Sequence, residues 1–300
     1  MLSLHTNAAA LSAQNSITRN QMSLSTSQTR LSTGFRVNSA MDDAAGLQIA
    51  TRLSYQTSGI AVAMRNTQNS ISMMQTAEGA LSETTNILTR MKDLATQSAD
   101  GSSTDADRTA MQSEYDALGK ELTNIVGNTA FGGTTLLSNT ATSKFGNGAV
   151  TFQIGASKSE TMQVDLTASG DSSLTNMQTD LAAVSSHFDA SGTDATGPAV
   201  GTEVATATAA NASIQTLSDA IDAVSTVRSS LGAASNRLDH IYNNLANVST
   251  NTKAATGRIM DTDFATESSN MTSSQMLLQA GTAMLKQSNS TSSLVLSLLQ

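Results

Sequence analysis

The sequence predicts a mainly α fold: an elongated antiparallel helical bundle or coiled coil built from both chain halves, with a small β-hairpin region. Three observations carry this. From Val224 to Ile259 apolar residues recur at alternating three-four spacing: Val224, Val227, Leu231, Ala234, Leu238, Ile241, Leu245, Val248, Ala255 and Ile259, with Thr252 the one polar member. At 3.6 residues per turn this draws one stripe down a helix, and over about five heptads it reads as a coiled-coil seam that needs partner helices. Stripes of the same period occur in the N-terminal half. The chain also has a single proline in 300 residues, where ordinary usage is about 5%. Interior proline costs a helix about 3 kcal/mol, so its scarcity suits long helices.

Composition narrows the function. A formal charge of −8 argues against nucleic acid, which calls for clustered basic residues. With no Trp, six Phe and three Tyr there is little aromatic material for a compact core. The absence of cysteine excludes disulfides and thiolate metal sites. No stretch approaches the roughly 18 apolar residues of a membrane span, so no membrane partner is expected. The first residues lack the basic and apolar regions of a secretory signal, so any export would use another route.

Taken in order, residues 1–41 hold Arg19, Arg30 and Arg36 but no acid, with Leu4, Leu11, Met22, Leu24 and Leu31 on one side of a weakly amphipathic helix. Ser39 and Asp42 resemble a capping box, with Asp42 and Asp43 at the positive end of the next helix. That helix runs from Ala44 to about Ala99, where Asp100-Gly101 stops it. Its seam is Leu53, Ile60, Met74, Leu81, Leu88 and Ala95, with Thr67 polar. Met64, Ile71, Met73, Ile87, Met91 and Leu94 widen the stripe. A third helix is predicted from about Asp105 to Val126, on Met111, Tyr115, Leu118, Leu122 and Ile125. Val150, Phe152 and Ile154 alternate, as do Met162, Val164 and Leu166, which predicts a hairpin around 155–160.

Between 167 and 210 every charge is acidic, and Pro198 sits among glycines. An exposed insertion is expected there, with one short helix near 174–188. Residues 268–300 carry one charge, Lys286, beside Met271, Leu278, Met284, Leu285, Val295, Leu296, Leu298 and Leu299. Neither chain end has a core of its own to join. Both are expected to be disordered in a monomer and to fold on assembly. The domain expectation is 1–42 plus 260–300 as an inner terminal-helix coiled coil. A rod-like helical domain with the hairpin takes 43–166 plus 211–259, and 167–210 is a short variable outer insertion.

Three kinds of site each have a plainer reading. Asp261 and Asp263 are read as turn or helix caps beside Arg258 rather than cation ligands. An ionic register is expected instead, pairing Arg30 and Arg36 with Asp261, Asp263 and Glu267; exposed pairs of this kind contribute about 0–1 kcal/mol each. His5, His187 and His240 are scattered, and no HExxH, P-loop or GxGxxG occurs, so no enzyme, metal or cofactor is expected.

The run Arg30-Leu31-Ser32-Thr33-Gly34-Phe35-Arg36-Val37-Asn38-Ser39-Ala40-Met41-Asp42-Asp43-Ala44-Ala45-Gly46-Leu47 resembles the N-terminal signature of bacterial flagellin. Arg258-Ile259-Met260-Asp261-Thr262-Asp263-Phe264-Ala265-Thr266-Glu267, Gln279-Ala280-Gly281-Thr282 and Val295-Leu296-Ser297-Leu298-Leu299 resemble its C-terminal motifs. The likeness covers about 1–166 and 211–300. It implies a secreted subunit of the extracellular flagellar filament, a helical homopolymer of itself. Its outer region here shrinks to about 40 residues, as in a short, lateral or minor form. The resemblance places inner-domain assembly on Leu4, Leu11, Leu24, Leu31, Leu278, Leu285, Leu296, Leu298 and Leu299. It also implies type III export, an export chaperone, and filament cap and hook-junction proteins as partners. Arg90, Leu94 and Glu114 match positions that contact the animal Toll-like flagellin receptor, although Thr96 replaces a usual valine. The C-terminal leucines resemble the part read by the cytosolic inflammasome sensor, with Gln300 in place of the usual arginine. The alternative is a hook–filament junction protein, whose paired aspartates tend to have proline nearby.

Overall fold

The computed structural model describes residues 7–140, 142–167, 174–193 and 200–298, with 292–298 described by backbone alone. The elements in order are α1 (Ala8–Thr33), α2 (Ala44–Ala99), α3 (Asp105–Asn128), β1 (Ala130–Phe131), β2 (Thr134–Thr135), β3 (Val150–Gln153), β4 (Thr161–Val164), α4 (Leu174–Val184), α5 (Ala207–Met260) and α6 (Phe264–Leu298). They fall into two compact units. Unit 1 comprises Met1–Ser58 with Ser249–Gln300, and unit 2 is Gly59–Val248.

Unit 2 is built on the seams. Leu81, Leu88 and Met74 of α2 are fully buried, as are Val224, Val227, Leu231 and Leu238 of α5. Glu78 and Arg228 tie the two helices at 2.7 Å. Ser235 of α5 lies 3.6 Å from the Met74 sulfur. Thr67, polar within the stripe and 0% exposed, donates its hydroxyl to the Ala63 carbonyl at 2.8 Å. This satisfies the one group that the seam would otherwise strand. On α3, Met111, Tyr115 and Leu122 are buried. That helix opens with a capping box, Thr104 and Asp107 bonding reciprocally. The helix start at Asp105 was expected, but the box was not.

The predicted hairpin is present, β3 pairing antiparallel with β4 in the register Val150 to Val164 and Gln153 to Thr161. A second, two-residue hairpin, β1 with β2, was not foreseen. Gly132 and Gly133, both at positive φ, form its turn, and strands this short carry no readable alternation.

The stretch 167–210 is corrected by the structure. Its described residues are not an exposed insertion. Leu174, Met177, Leu181 and Val184 of α4 are fully buried, and Phe188, Ala190 and Val204 join the same core. The acidic, glycine-bearing composition hid an apolar face spaced three, four and three. The helix ends at Val184 rather than near 188, where a turn closed by the Phe188 N–H on the Ser185 carbonyl takes over.

In unit 1, α1 and α6 pair along their length. Ser39 and Asp42 are not the cap of α2. Asp42 accepts from the Asn38 and Ser39 N–H groups and closes a turn of its own. Asp43 caps the helix, accepting from the Gly46 N–H at 2.8 Å.

Candidate assembly surface

The chain crosses itself where α1 ends and α6 begins. Gly34 stops α1 in the left-handed conformation, φ 75°, which a residue without a Cβ adopts at no steric cost. Phe35 then bridges antiparallel to Asp261. The Arg36 N–H donates to the Met260 carbonyl at 2.6 Å and the Thr262 N–H to the Gly34 carbonyl at 2.9 Å.

The five charges expected to set register do different things here. Arg30 Nη1 lies 3.6 Å from Glu267 Oε2, and the Glu267 side chain is 10% exposed. Arg36 turns to the Ile259 carbonyl at 3.0 Å, the negative end of α5, rather than to a carboxylate. Asp263 is the N-cap of α6. It accepts from the Thr266 hydroxyl and from the Thr266 and Ala265 N–H groups, which hold its carboxyl below the ordinary range. Asp261 is exposed and contributes backbone to the crossing.

Beyond the crossing, the facing sides of the two helices follow a heptad. On α1 the residues turned inward are Ala10, Ala13, Ile17, Asn20, Leu24, Ser27 and Leu31. On α6 they are Glu267, Met271, Ser274, Leu278, Gly281, Leu285 and Ser288. Asn7 donates to the Ser288 hydroxyl at 3.1 Å, fixing the far end of the register. At Gly281 an added Cβ would lie 2.9 Å from Ile17, so the helices approach closely there. This seam mixes leucines with serine, asparagine and glycine. The one buried residue of α1 is Ser27, and Glu267 is the buried side chain among those described on α6.

Other large apolar side chains of the pair point away from the seam. Leu11, Met22, Met276, Leu277 and Met284 are 55–67% exposed. Leu277, Ala280 and Met284 form a second three-four stripe on α6, offset from the one facing α1. One helix–helix contact covers one stripe, so the pair presents apolar surface on its outward side. Leu4 and Leu299 lie outside the described residues, and the side chains of Leu296 and Leu298 lie outside them too. Leu24, Leu31, Leu278 and Leu285 face the α1–α6 seam, and Leu11 faces out. A shallow groove of about 440 Å³, lined in part by Phe35, Leu47, Tyr55 and Met260, adds further apolar surface to unit 1.

Comparison with known proteins identifies this arrangement. Residues 4–142 match the bacterial flagellin N-terminal helical region and residues 214–299 the C-terminal helical region. The chain belongs to the bacterial flagellin family. It is 35% identical to polar flagellin B/D of Vibrio parahaemolyticus over 381 positions, covering 99% of both chains. It is 34% identical to flagellin A of Vibrio cholerae over 383 positions, covering all of both. A solved structure described as a flagellar hook-associated protein of Vibrio parahaemolyticus superposes with a TM-score of 0.55. It covers 73% of this flagellin and all of that chain at 20% identity, a likeness of fold alone. This flagellin is thus a structural subunit of the extracellular flagellar filament, serving motility and not catalysis.

At the three positions matched to the Toll-like receptor site, Arg90 of α2 and Glu114 of α3 pair at 2.7 Å with about half of each side chain exposed. Leu94 is 2% exposed and packs in the unit 2 core. A heptad seam and a surface patch share α2, and the buried leucine belongs to the seam.

A polar clamp in unit 2 escaped the sequence reading. Gln112 of α3 donates from its amide nitrogen to Asp116 at 2.6 Å and to Glu203 at 2.9 Å, and accepts from the Val204 N–H at 2.7 Å. Glu203 also accepts from the Ser186 N–H, and Asp116 from the Gly201 N–H. Burial works to raise the Glu203 carboxyl. The hydrogen bonds from Ser186 and Gln112 outweigh it and hold the group below its ordinary value. Tyr115 donates to the Val184 carbonyl at 2.8 Å. Burial, with Glu203 and Asp116 nearby, pushes its phenol far up. His187 is fully buried, 3.9 Å from Asp116. Apart from Gln112–Asp116 and Ser186–Glu203, these partners are 69–92 residues apart in sequence, so no local motif announces them.

Proposed function

We propose that the α1–α6 pair is the polymerising element of this flagellin, and that its outward stripe is completed by terminal helices of other copies. The carrying observation is the mismatch in unit 1, where polar Ser27 and Glu267 are buried while Leu11, Met22, Leu277 and Met284 stand exposed. Heterologous contacts of this kind continue without closing, which produces a helical tube. The ordering of the terminal segments is then coupled to addition at the growing end, and that coupling favours a subunit kept unassembled during export. The export chaperone, cap and hook-junction partners follow from the same reading: each would engage a terminal surface that the subunit cannot cover alone.

The subunit is a short form. The alignments with the Vibrio flagellins extend over 381 and 383 positions, against 300 residues here. Innate sensing, if it uses this face, draws on the exposed Arg90–Glu114 pair, with Leu94 supporting it from the core. A receptor reporter assay in which Arg90→Ala leaves the response unchanged would remove that pair from the site.

Electron microscopy of purified subunits seeded with filament fragments tests the main reading. Long filaments are expected from the parent chain. Leu11→Asp combined with Leu277→Asp should give persistent monomers whose unit 2 melts as in the parent. Normal filaments from that variant would refute the assignment.

A further inference from the structure

Two groups of methionines stand at opposite extremes of exposure in this flagellin, with Met64, Met260 and Met271 between them. Met73, Met74, Met91, Met111, Met162 and Met177 of unit 2 are 0–8% exposed. Met22, Met276 and Met284, on the outward faces of α1 and α6, are 66%, 58% and 67% exposed. The chain has no cysteine, so thioethers are its only oxidisable sulfur. The accessible ones on its helices are concentrated on the surface that has no partner within the subunit.

We propose that Met22, Met276 and Met284 form an oxidation site through which peroxide-class oxidants block the free subunit from polymerising. The inference rests on the assembly reading above. In the reaction, a lone pair on the thioether sulfur attacks one oxygen of hydrogen peroxide. The O–O bond breaks as the S–O bond forms, and the departing hydroxide leaves as water after proton transfer. Sulfur loses two electrons and the peroxide gains them. The side chain keeps its length but gains a strongly accepting oxygen.

Position gives the modification its effect. Met284 shares a stripe with Leu277 and Ala280, none of which can donate a side-chain hydrogen bond. A sulfoxide exposed to water on the free subunit costs nothing there. Carried into an apolar contact with another copy, it is desolvated without a partner. The six core methionines are shielded by the packing of unit 2, so the same dose leaves that fold intact. Once the outward stripe is covered in a polymer, its sulfurs are shielded too. Oxidation therefore acts before assembly and spares the finished polymer. Met41, 95% exposed in the turn between α1 and α2, lies off both helices and serves as an internal gauge of oxidant dose.

The test uses the full chain. Free subunits are treated with dilute hydrogen peroxide, their sulfoxides mapped by mass spectrometry, and seeded polymerisation followed by light scattering. Met22, Met276 and Met284 should gain oxygen well before the unit 2 methionines. The critical concentration should rise about tenfold or more, with the thermal melt of unit 2 unchanged. Methionine sulfoxide reductases should restore polymerisation, which separates the site from irreversible damage. A Met22→Leu, Met276→Leu, Met284→Leu variant should keep polymerising after a dose that oxidises Met41. Parental polymerisation by subunits carrying all three sulfoxides would overturn the proposal, as would failure of the reductases to restore it. Equally fast oxidation of the three residues in the intact polymer would instead defeat the assembly reading, since that surface would then be uncovered.

Discussion

The two units apply one heptad rule to opposite ends. In unit 2 the stripes of α2 and α5 are filled with leucine, valine and methionine, and their central residues are inaccessible to water. Burying each such side chain contributes about 1.5–3 kcal/mol, enough in sum to hold a fold within one chain. In unit 1 the heptad positions between α1 and α6 mix Ile17, Leu24, Leu31, Met271, Leu278 and Leu285 with serine, asparagine and glycine, while Leu11, Met22, Met276, Leu277 and Met284 face out. Period sets where helices touch, and side-chain content sets whether that touch is sufficient. A seam that leaves apolar side chains uncovered within one subunit is what the proposed assembly role rests on.

The sharpest way to break this contrast is Leu238→Ala. Leu238 is fully buried in the α5 seam, so the change should destabilise unit 2 by about 2–5 kcal/mol in denaturant unfolding. Tyr115→Phe comes next. It strands the Val184 carbonyl in the core and should cost about 1–3 kcal/mol by the same measurement.

Glu203 supplies a pH test. Its carboxyl is held below the ordinary value in the folded state, so the unfolded chain binds the proton more readily. The stabilisation is fully present above the ordinary glutamate pKa, about 4.3, and is lost as pH falls below that through the depressed folded value. The hydrogen-exchange protection factor at Ser186 should therefore fall on acidification. In Glu203→Gln that acid step should be absent and Ser186 less protected at neutral pH.

Arg228→Ala removes a partly exposed pair with Glu78 and should shift unit 2 stability by no more than about 1 kcal/mol. The smallest effect on the subunit belongs to unit 1. Leu277→Ala, at a position 55% exposed, should change subunit stability by less than about 0.5 kcal/mol while raising the critical concentration for polymerisation. A large loss of subunit stability from Leu277→Ala would mean that unit 1 is as self-contained as unit 2.

Much of the helical frame was legible because its signal is periodic. The start of α2 at Ala44, its end at Ala99 and the seam through Leu231 and Leu238 follow from spacing and from Asp100-Gly101. The β3–β4 hairpin was legible from alternation. The role of 174–190 was not. Its apolar face sits in an acidic, serine-rich context, and its burial depends on α3, far away in sequence. Leu94 stood both in the α2 stripe and among the receptor-matched positions, and its burial agrees with the stripe.

Helix type, length and period in this flagellin are local properties, set by spacing, caps and the near absence of proline, and they can be read along the chain. Which stripe is covered is a property of the neighbours that each helix meets. That is why Ser27 is buried while Met22 is exposed on the same helix, and why Gln112, Asp116 and Glu203 meet across more than eighty residues. No pattern along one segment encodes those meetings, because their energy comes from excluding water between segments brought together by the fold.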